Sequence, residues 1–198
     1  MMTTDDLLDR ARSWIAGDPD PATVTELQAL VDNDEVDELA ERVRSELAFG
    51  TAGLRGIVGA GPNRMNSAVV IRTTRGLADH LRATDPTAQQ RGVVVGFDAR
   101  TTSREFAEAT AGVLVAAGFT VHWYPTPQPT PLVAFTQRYL DAAAAIVITA
   151  SHNPPEYNGY KVYVEGAAQI VPPTDQAIAD AVGQVGPAAE VPRAGLDD

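Results

Sequence analysis

Two runs in this chain contain no polar side chain and are too short to be helices. They are Val93-Val94-Val95-Gly96-Phe97 and Ala145-Ile146-Val147-Ile148. A strand that reads as an unbroken apolar run, rather than as alternation, is covered on both faces. Segments of helical period surround these runs. Val70, Thr74, Leu77, Ala78 and Leu81 predict one helix. Phe106, Val113, Leu114 and Ala117 predict another, opened by a Thr102–Glu105 capping box and stopped by Gly118. Phe119–Trp123 reads as a strand, and four prolines from Pro125 to Pro131 keep the chain extended after it. A helix then begins near Pro131, with Leu132, Phe135 and Tyr139 expected on its buried side. Tyr160–Val164 reads as a fourth strand between turns at Asn158-Gly159 and Glu165-Gly166, and a last helix is expected over Thr174–Val182. Strands alternating with helices predict a layered α/β domain, in which ligands meet the carboxyl ends of strands. Asp98-Ala99-Arg100 and Ser151-His152-Asn153 each follow a strand and are expected to face one crevice.

The 198 residues and 44% hydrophobic content allow one well-formed core plus an appendage. The appendage is N-terminal. Leu7, Leu8, Ala11, Trp14 and Ile15 predict a helix capped by Thr4, which the Gly17–Pro21 stretch breaks. Leu27, Leu30 and Val31 predict a second helix, and Val36, Leu39, Ala40, Val43 and Leu47 a third. Residues 1–48 carry thirteen acids and four arginines, whereas residues 49–198 carry thirteen acids and eleven bases. The net charge of −11 is therefore concentrated in an acidic helical extension over 1–48. Residues 49–182 form the expected domain, whose glycine-rich start at 50–63 reads as loop. Residues 183–198, rich in Gly, Pro and Ala, read as a linker toward a second domain absent from this chain.

Neither part has the basic stripe of a nucleic-acid binder. There is no cysteine, hence no disulfide or thiolate metal site. No apolar run reaches membrane-spanning length, and the acidic first twenty residues lack the basic start of a signal peptide. A cytoplasmic protein with no membrane partner is the expectation.

The chemistry-bearing segment is Thr149-Ala-Ser-His-Asn-Pro-Pro-Glu-Tyr-Asn-Gly-Tyr-Lys161. Lys161 is the only lysine, and the other fourteen cationic side chains are arginine. An ammonium is a mobile point charge with a tunable pKa, which a guanidinium is not. Ser151 on a strand-to-loop turn suits a nucleophile or phosphoryl carrier, with His152 and Lys161 to move protons or hold anionic oxygens. By residue type alone, a polar turn leading into a hairpin accounts for the segment equally well. Other signatures are absent: there is no Gly-Lys pair for a P-loop, and no Gly-x-Ser-x-Gly elbow. His80 on a helix face and His122 in a strand have no metal-spaced partners. Trp14 reads as packing. Asp18-Pro19-Asp20-Pro21 reads as a helix-breaking turn.

Thr-Ala-Ser-His-Asn-Pro followed by Tyr-Asn-Gly-Tyr-Lys resembles the phosphoserine loop of the α-D-phosphohexomutases, the family of phosphoglucomutase and phosphomannomutase. Phe49-Gly-Thr-Ala-Gly-Leu-Arg-Gly56 resembles that family's N-terminal loop. Gly96-Phe-Asp-Ala-Arg100 with Ser103 resembles its Gly-x-Asp-x-Arg…Ser turn. Gly61-Pro-Asn-Arg-Met-Asn66 and the helical extension resemble the branch of bacterial phosphoglucomutases and mammalian-type phosphopentomutases. Pattern and resemblance together predict a three-layer α/β/α domain with a mixed, mostly parallel sheet, preceded by the helical extension.

The resemblance implies that Ser151 carries the transferable phosphoryl group, an oxygen of which is a ligand of Mg²⁺. It implies catalytic roles for His152, Lys161 and Arg55, and substrate binding by Arg55, Thr51, Ser151 and Asn153. Asp98, Arg100 and Ser103 are implied as loop supports. For them a capped helix start with a local Asp–Arg pair takes precedence over direct catalysis.

The resemblance covers the first of four family domains, without the Asp-x-Asp-x-Asp-Arg metal loop. The expected function is the N-terminal domain of a phosphosugar mutase. It would interconvert hexose (or pentose) 1-phosphate and 6-(5-)phosphate through a phosphoserine and a sugar 1,6-bisphosphate. Glucose phosphate is the first substrate, ahead of the mannose and ribose pairs. Phosphoryl transfer depends on positioning and charge neutralisation, so this chain without the remaining domains is expected to lack turnover. The alternatives are a non-catalytic module that binds phosphosugars or a partner, and hydrolytic use of the same serine.

Overall fold

The computed structural model describes residues 2–51 and 53–195. The chain opens with three helices, α1 (Thr4–Gly17), α2 (Pro21–Asp32) and α3 (Val36–Val43). The cap of α1 is Thr3, one residue before the expected Thr4: its side chain and that of Asp6 form the reciprocal capping box. At the break, the Asp18 carboxylate accepts from the Asp20 N–H and the Thr23 hydroxyl, and Asp20 caps α2. These aspartates hold a turn together. The third helix ends at Val43 instead of reaching Leu47. Leu47 continues the apolar spacing, but its N–H donates to the Pro62 carbonyl at 2.9 Å and its side chain lies over Gly56.

Leu7, Ala11, Leu27, Val31, Leu39, Ala40, Val43 and Ala60 form a small core of their own. The acidic side chains dock this unit on the next loop. Arg42 pairs with Glu26 and Glu38, Arg64 donates to Glu41 at 2.8 Å, and Glu26 accepts from the Ala60 N–H.

The glycine-rich stretch contains a strand the sequence hides, β1 (Leu54–Ile57). Then follow α4 (Ser67–Thr84), the single turn α5 (Ala88–Arg91), β2 (Val93–Phe97), α6 (Ser103–Ala116), β3 (Val121–Trp123) and α7 (Thr130–Leu140). The chain continues through β4 (Ala144–Ile148), β5 (Tyr157–Val164), β6 (Ala168–Gln169) and α8 (Thr174–Gly183). The sheet order is β1-β5-β4-β2-β3, with β6 on β5. The central strand β2 is parallel to both β3 and β4, and the pairs involving β5 are antiparallel.

Alternate residues of β2 and β4 face opposite layers, as strand geometry requires. Val93, Val95, Phe97, Ile146 and Ile148 join the core that also holds Leu77, Leu114 and Ile178 from α4, α6 and α8. Val94, Ala145 and Val147 pack with Val133 of α7. The result is the expected three-layer α/β/α arrangement around a mixed sheet.

Three local expectations change. Asn158-Gly159 is not a turn: both residues are buried within β5, opposite Gly56 and Arg55 of β1. The glycine is required by close approach, since a Cβ there would lie 2.7 Å from the Leu54 carbonyl oxygen and 2.8 Å from that of Thr149. The Thr102–Glu105 capping box does not form. Thr102 makes no side-chain cap, and Glu105 instead accepts from the Ser67 hydroxyl at 2.9 Å.

On α7, Leu132, Phe135 and Tyr139 point outward, Phe135 at 58% and Tyr139 at 76% exposure. The buried face carries Val133, Ala134 and Gln137. Gln137 holds the helix end by donating to the Ala142 carbonyl at 2.6 Å. The apolar spacing on α7 thus marks the wrong face, because the narrow space over β2 and β4 takes small side chains.

After α8, Ala188 and Val191 are buried against Ala68, Ile71 and Val113, and the Ala194 N–H donates to the Gly112 carbonyl. Part of the stretch read as a linker therefore lies along α4 and α6, while residues 196–198 lie outside the described residues.

The orientation of α7 is testable by chemical denaturation. Phe135→Ser should change stability by no more than about 0.5 kcal/mol. Val133→Ala, smaller but buried, should cost about 1–3 kcal/mol.

Candidate active site

The site is built on the loop between β4 and β5, at the carboxyl end of β4, where open α/β sheets present their ligands. Its stem is closed by the Thr149 N–H donating to the Gly159 carbonyl at 3.1 Å. Ser151 sits in the left-handed region, with φ of 55°. A residue with a Cβ reaches that region only at a cost of roughly 1–2 kcal/mol. Local bonds hold it there: the Ser151 N–H donates to the Thr149 hydroxyl at 2.9 Å, and the Asn153 N–H to the Ala150 carbonyl at 3.1 Å. The turn leaves the Ser151 side chain exposed.

Beneath the loop lies Arg100. Its Nε faces an Asp98 carboxylate oxygen at 3.2 Å. One terminal nitrogen donates to the carbonyls of Pro154 and Tyr157, the other to those of Asn153 and Ser151, at 2.7–3.3 Å. A guanidinium has five N–H donors, and all five are engaged here. Asp98 is held in turn by the Arg100 backbone N–H at 3.0 Å and the Ser103 hydroxyl at 2.6 Å. Asp98, Arg100 and Ser103 thus lie together in one hydrogen-bonded chain beneath the loop, and the two strand-end turns meet.

Lys161 is on β5, across from Val147 of β4. Its Nζ donates to the Ser151 Oγ at 2.6 Å. Burial pushes the Lys161 ammonium below the ordinary lysine pKa. The neighbouring Arg55 charge pushes it the same way, and Asp98 opposes both. Arg55, on β1, donates to the Asn153 side-chain oxygen at 3.0 Å. Thr51 lies in the tight turn closed by reciprocal bonds between Gly50 and Gly53. Gly53 has φ of 77°, and a Cβ there would meet the Tyr160 carbonyl at 1.9 Å, so the turn lies directly over β5 next to Lys161. Ala52 of the same motif lies outside the described residues.

The structure therefore gathers Ser151, Lys161, Arg55 and Asn153, with the Thr51 turn beside them. His152 is exposed, and among the described residues no hydrogen bond ties it to the other site residues. His80 and His122 are remote from the loop.

Two contributors lie within the quoted motif, but residue type alone gives neither a role at the site. Thr149 anchors the Ser151 backbone; its signal is a hydroxyl two residues before a turn residue. Asn158 is fully buried and donates to the hydroxyls of Thr102 and Ser103 at 2.9 and 3.0 Å. The Asn-Gly pair suggested a turn and pointed away from it.

An exposed serine held at a strained turn, with an ammonium on its oxygen and a guanidinium bonded to the same loop, sits at the carboxyl end of β4 in an α/β/α domain. The comparisons with known proteins give the family of that domain. The family described as phosphoglucomutase/phosphomannomutase, alpha/beta/alpha domain I, matches residues 46–187. A phosphoribomutase of Saccharomyces cerevisiae is 43% identical over 180 residues, which are 89% of this chain and 29% of that protein. A glucose 1,6-bisphosphate synthase of Mus musculus is 40% identical over 184 residues, 89% of this chain and 30% of the relative. Among solved structures, a candidate phosphomannomutase from Thermus thermophilus superimposes with a TM-score of 0.62 at 34% identity, over 70% of this chain and 30% of that one. This chain belongs to the phosphoglucomutase/phosphomannomutase family, as its first, α/β/α domain. It spans a little under a third of the length of these curated relatives.

The lone lysine makes the electrostatics measurable without assignment ambiguity. In a pH titration followed by NMR at the Lys161 side chain, the midpoint should lie below that of a free lysine. Arg55→Ala removes a like charge and should raise the midpoint. Asp98→Asn removes an opposite charge and should lower it. A second test concerns the guanidinium fork. Arg100→Lys keeps the charge but offers three donors for five positions, so amide hydrogen exchange across residues 149–157 should accelerate while that of α8 is unchanged.

Proposed function

We propose that this chain is the phosphoryl-carrying domain of a cytoplasmic phosphosugar mutase, which interconverts the 1-phosphate and 6- (or 5-) phosphate of a hexose or pentose. The observation that carries the reading is the 2.6 Å contact of the Lys161 ammonium with the Ser151 hydroxyl oxygen. When the phosphoryl group passes from Ser151 to the free hydroxyl of a sugar monophosphate, the Oγ–P bond breaks, a sugar O–P bond forms, the hydroxyl proton passes to solvent, and a sugar bisphosphate results. Negative charge then appears on the Ser151 Oγ. Lys161 is placed to neutralise it and to return a proton to it. In the return step, the other phosphoryl of the bisphosphate is transferred to the same oxygen, with Lys161 taking up the serine proton. Arg55, Asn153 and the Thr51 turn line the side from which a phosphate approaches, and His152 lies next to the reacting oxygen along the loop. The names of the relatives bring pentose phosphates up beside the hexose phosphates as substrates.

Mg²⁺ fits this scheme at one point. Among the described residues no group of three His, Cys, Asp or Glu side chains is placed to hold a metal ion, and the ligand this chain would bring is an oxygen of the Ser151 phosphoryl group. Bound there, the ion would spread the charge of the transferring group. The other ligands and the grip on the second sugar phosphate would come from further domains of the same enzyme. No helix among the described residues is long and apolar enough to cross a membrane.

Intact mass and peptide mapping of the full-length enzyme should find one phosphoryl group on Ser151. Ser151→Ala should lower turnover of both the hexose and the pentose phosphate pairs by on the order of 10³-fold or more; near-normal rates would sink the assignment. Lys161→Arg should also be damaging despite the retained charge, because a guanidinium is bulkier and does not give up a proton near neutral pH.

A further inference from the structure

The hydrogen bonds beneath the loop run in one direction, and that direction is set by Asn158. Its carboxamide nitrogen can only donate, and it donates to the hydroxyls of Thr102 and Ser103. Its carboxamide oxygen accepts from the Gly159 N–H at 2.8 Å, which leaves the amide no alternative orientation. The Ser103 oxygen is therefore occupied as an acceptor, and its proton is free to point at Asp98, 2.6 Å away. Asp98 faces Arg100, and Arg100 fills the underside of the Ser151 loop. Asn158 and Ser103 are both fully buried, so water does not compete for the bond between them. Asn158 also sits in the β5 strand that carries Lys161 three residues on, and it is paired with Gly56 next to Arg55.

We propose that Asn158 is a positioning residue for the phosphoryl-transfer site: by fixing the direction of the Ser103 proton it holds the Asp98–Arg100 pair in the one arrangement that keeps Ser151 at its turn. Asn158 does not touch substrate and acts through three other side chains. The proposal rests on the reading of Ser151 as phosphoryl carrier. It adds that the strand bearing Lys161 is tied by a buried amide to Ser103, and through Asp98 and Arg100 to the loop bearing Ser151, so that the 2.6 Å contact is supported by a residue outside it.

The test uses the full-length enzyme with Asn158→Ala, Ser103→Ala, the double variant, Asn158→Asp, and Ile178→Val as a core control remote from the loop. If Asn158 acts through Ser103, each alanine variant should lower kcat by about 10- to 100-fold while KM for the sugar phosphate moves less than about twofold. The double variant should be no slower than the slower single one. Asn158→Asp keeps the shape and the acceptor, and in its ionised form, assayed above about pH 8, offers no donor. It should draw the Ser103 proton away from Asp98 and be as damaging as Asn158→Ala. Ile178→Val should lower the melting temperature and leave kcat unchanged.

The proposal is overturned if the two single effects multiply, if Asn158→Asp turns over like wild type, or if kcat loss merely follows melting temperature across the set. Should wild-type enzyme carry no phosphoryl group on Ser151 and isomerise no sugar phosphate, the carrier reading fails by itself. The positioning claim is then decided by hydrogen exchange: Asn158→Ala and Ser103→Ala must each speed exchange across residues 149–157 equally and without summing in the double variant, and independent effects would refute it.

Discussion

One guanidinium organises the functional end of this domain. The Ser151 loop turns four carbonyls inward, those of Ser151, Asn153, Pro154 and Tyr157, and buried or half-buried carbonyls without donors are costly. Arg100 answers all four with its terminal nitrogens and turns its remaining N–H to Asp98. The loop can then hold a left-handed serine, because its backbone partners are satisfied elsewhere. A lysine at position 100 would supply the charge without the fork. That is a physical reason for arginine there.

The charges around the serine are arranged for an anion. Arg55 and Lys161 stand on neighbouring strands, and their mutual repulsion adds to burial in holding the Lys161 pKa down. A phosphoryl group on Ser151 would reverse that balance by giving both cations a partner. The strong acidity of the N-terminal extension has no part in this. Its carboxylates are used locally, against Arg10, Arg42, Arg64 and Arg72, to fasten three short helices to the domain. Net charge taken over the whole chain would therefore mislead about the ligand, while the local field at the strand ends describes it.

Much of the layered fold is legible because β2 and β4 are continuous apolar runs, a pattern that burial on both faces imposes. The elements that escaped are those where a second constraint outweighed local pattern. β1 is short and glycine-rich, and it exists because β5 lies beside it. Asn158-Gly159 carries the composition of a turn, but the glycine is there for close approach to two carbonyls, and the asparagine bonds one buried and one half-buried hydroxyl. On α7 the large apolar side chains follow helical spacing yet face outward, since the sheet beneath accepts only Val133, Ala134 and Gln137. Thr102 and Glu105 have the spacing of a capping box, and each found a better partner across the fold.

The amino-acid sequence by itself determined the class of the fold and the family, because these depend on periodicity and compact motifs. It also singled out Lys161, since one lysine among fourteen arginines is visible without coordinates. Only the tertiary structure decided that Lys161 reaches the Ser151 oxygen, that Arg55 joins Asn153, and that Arg100 spans the loop. These contacts link residues 10 to 98 positions apart. Their placement follows strand register, which no local pattern encodes.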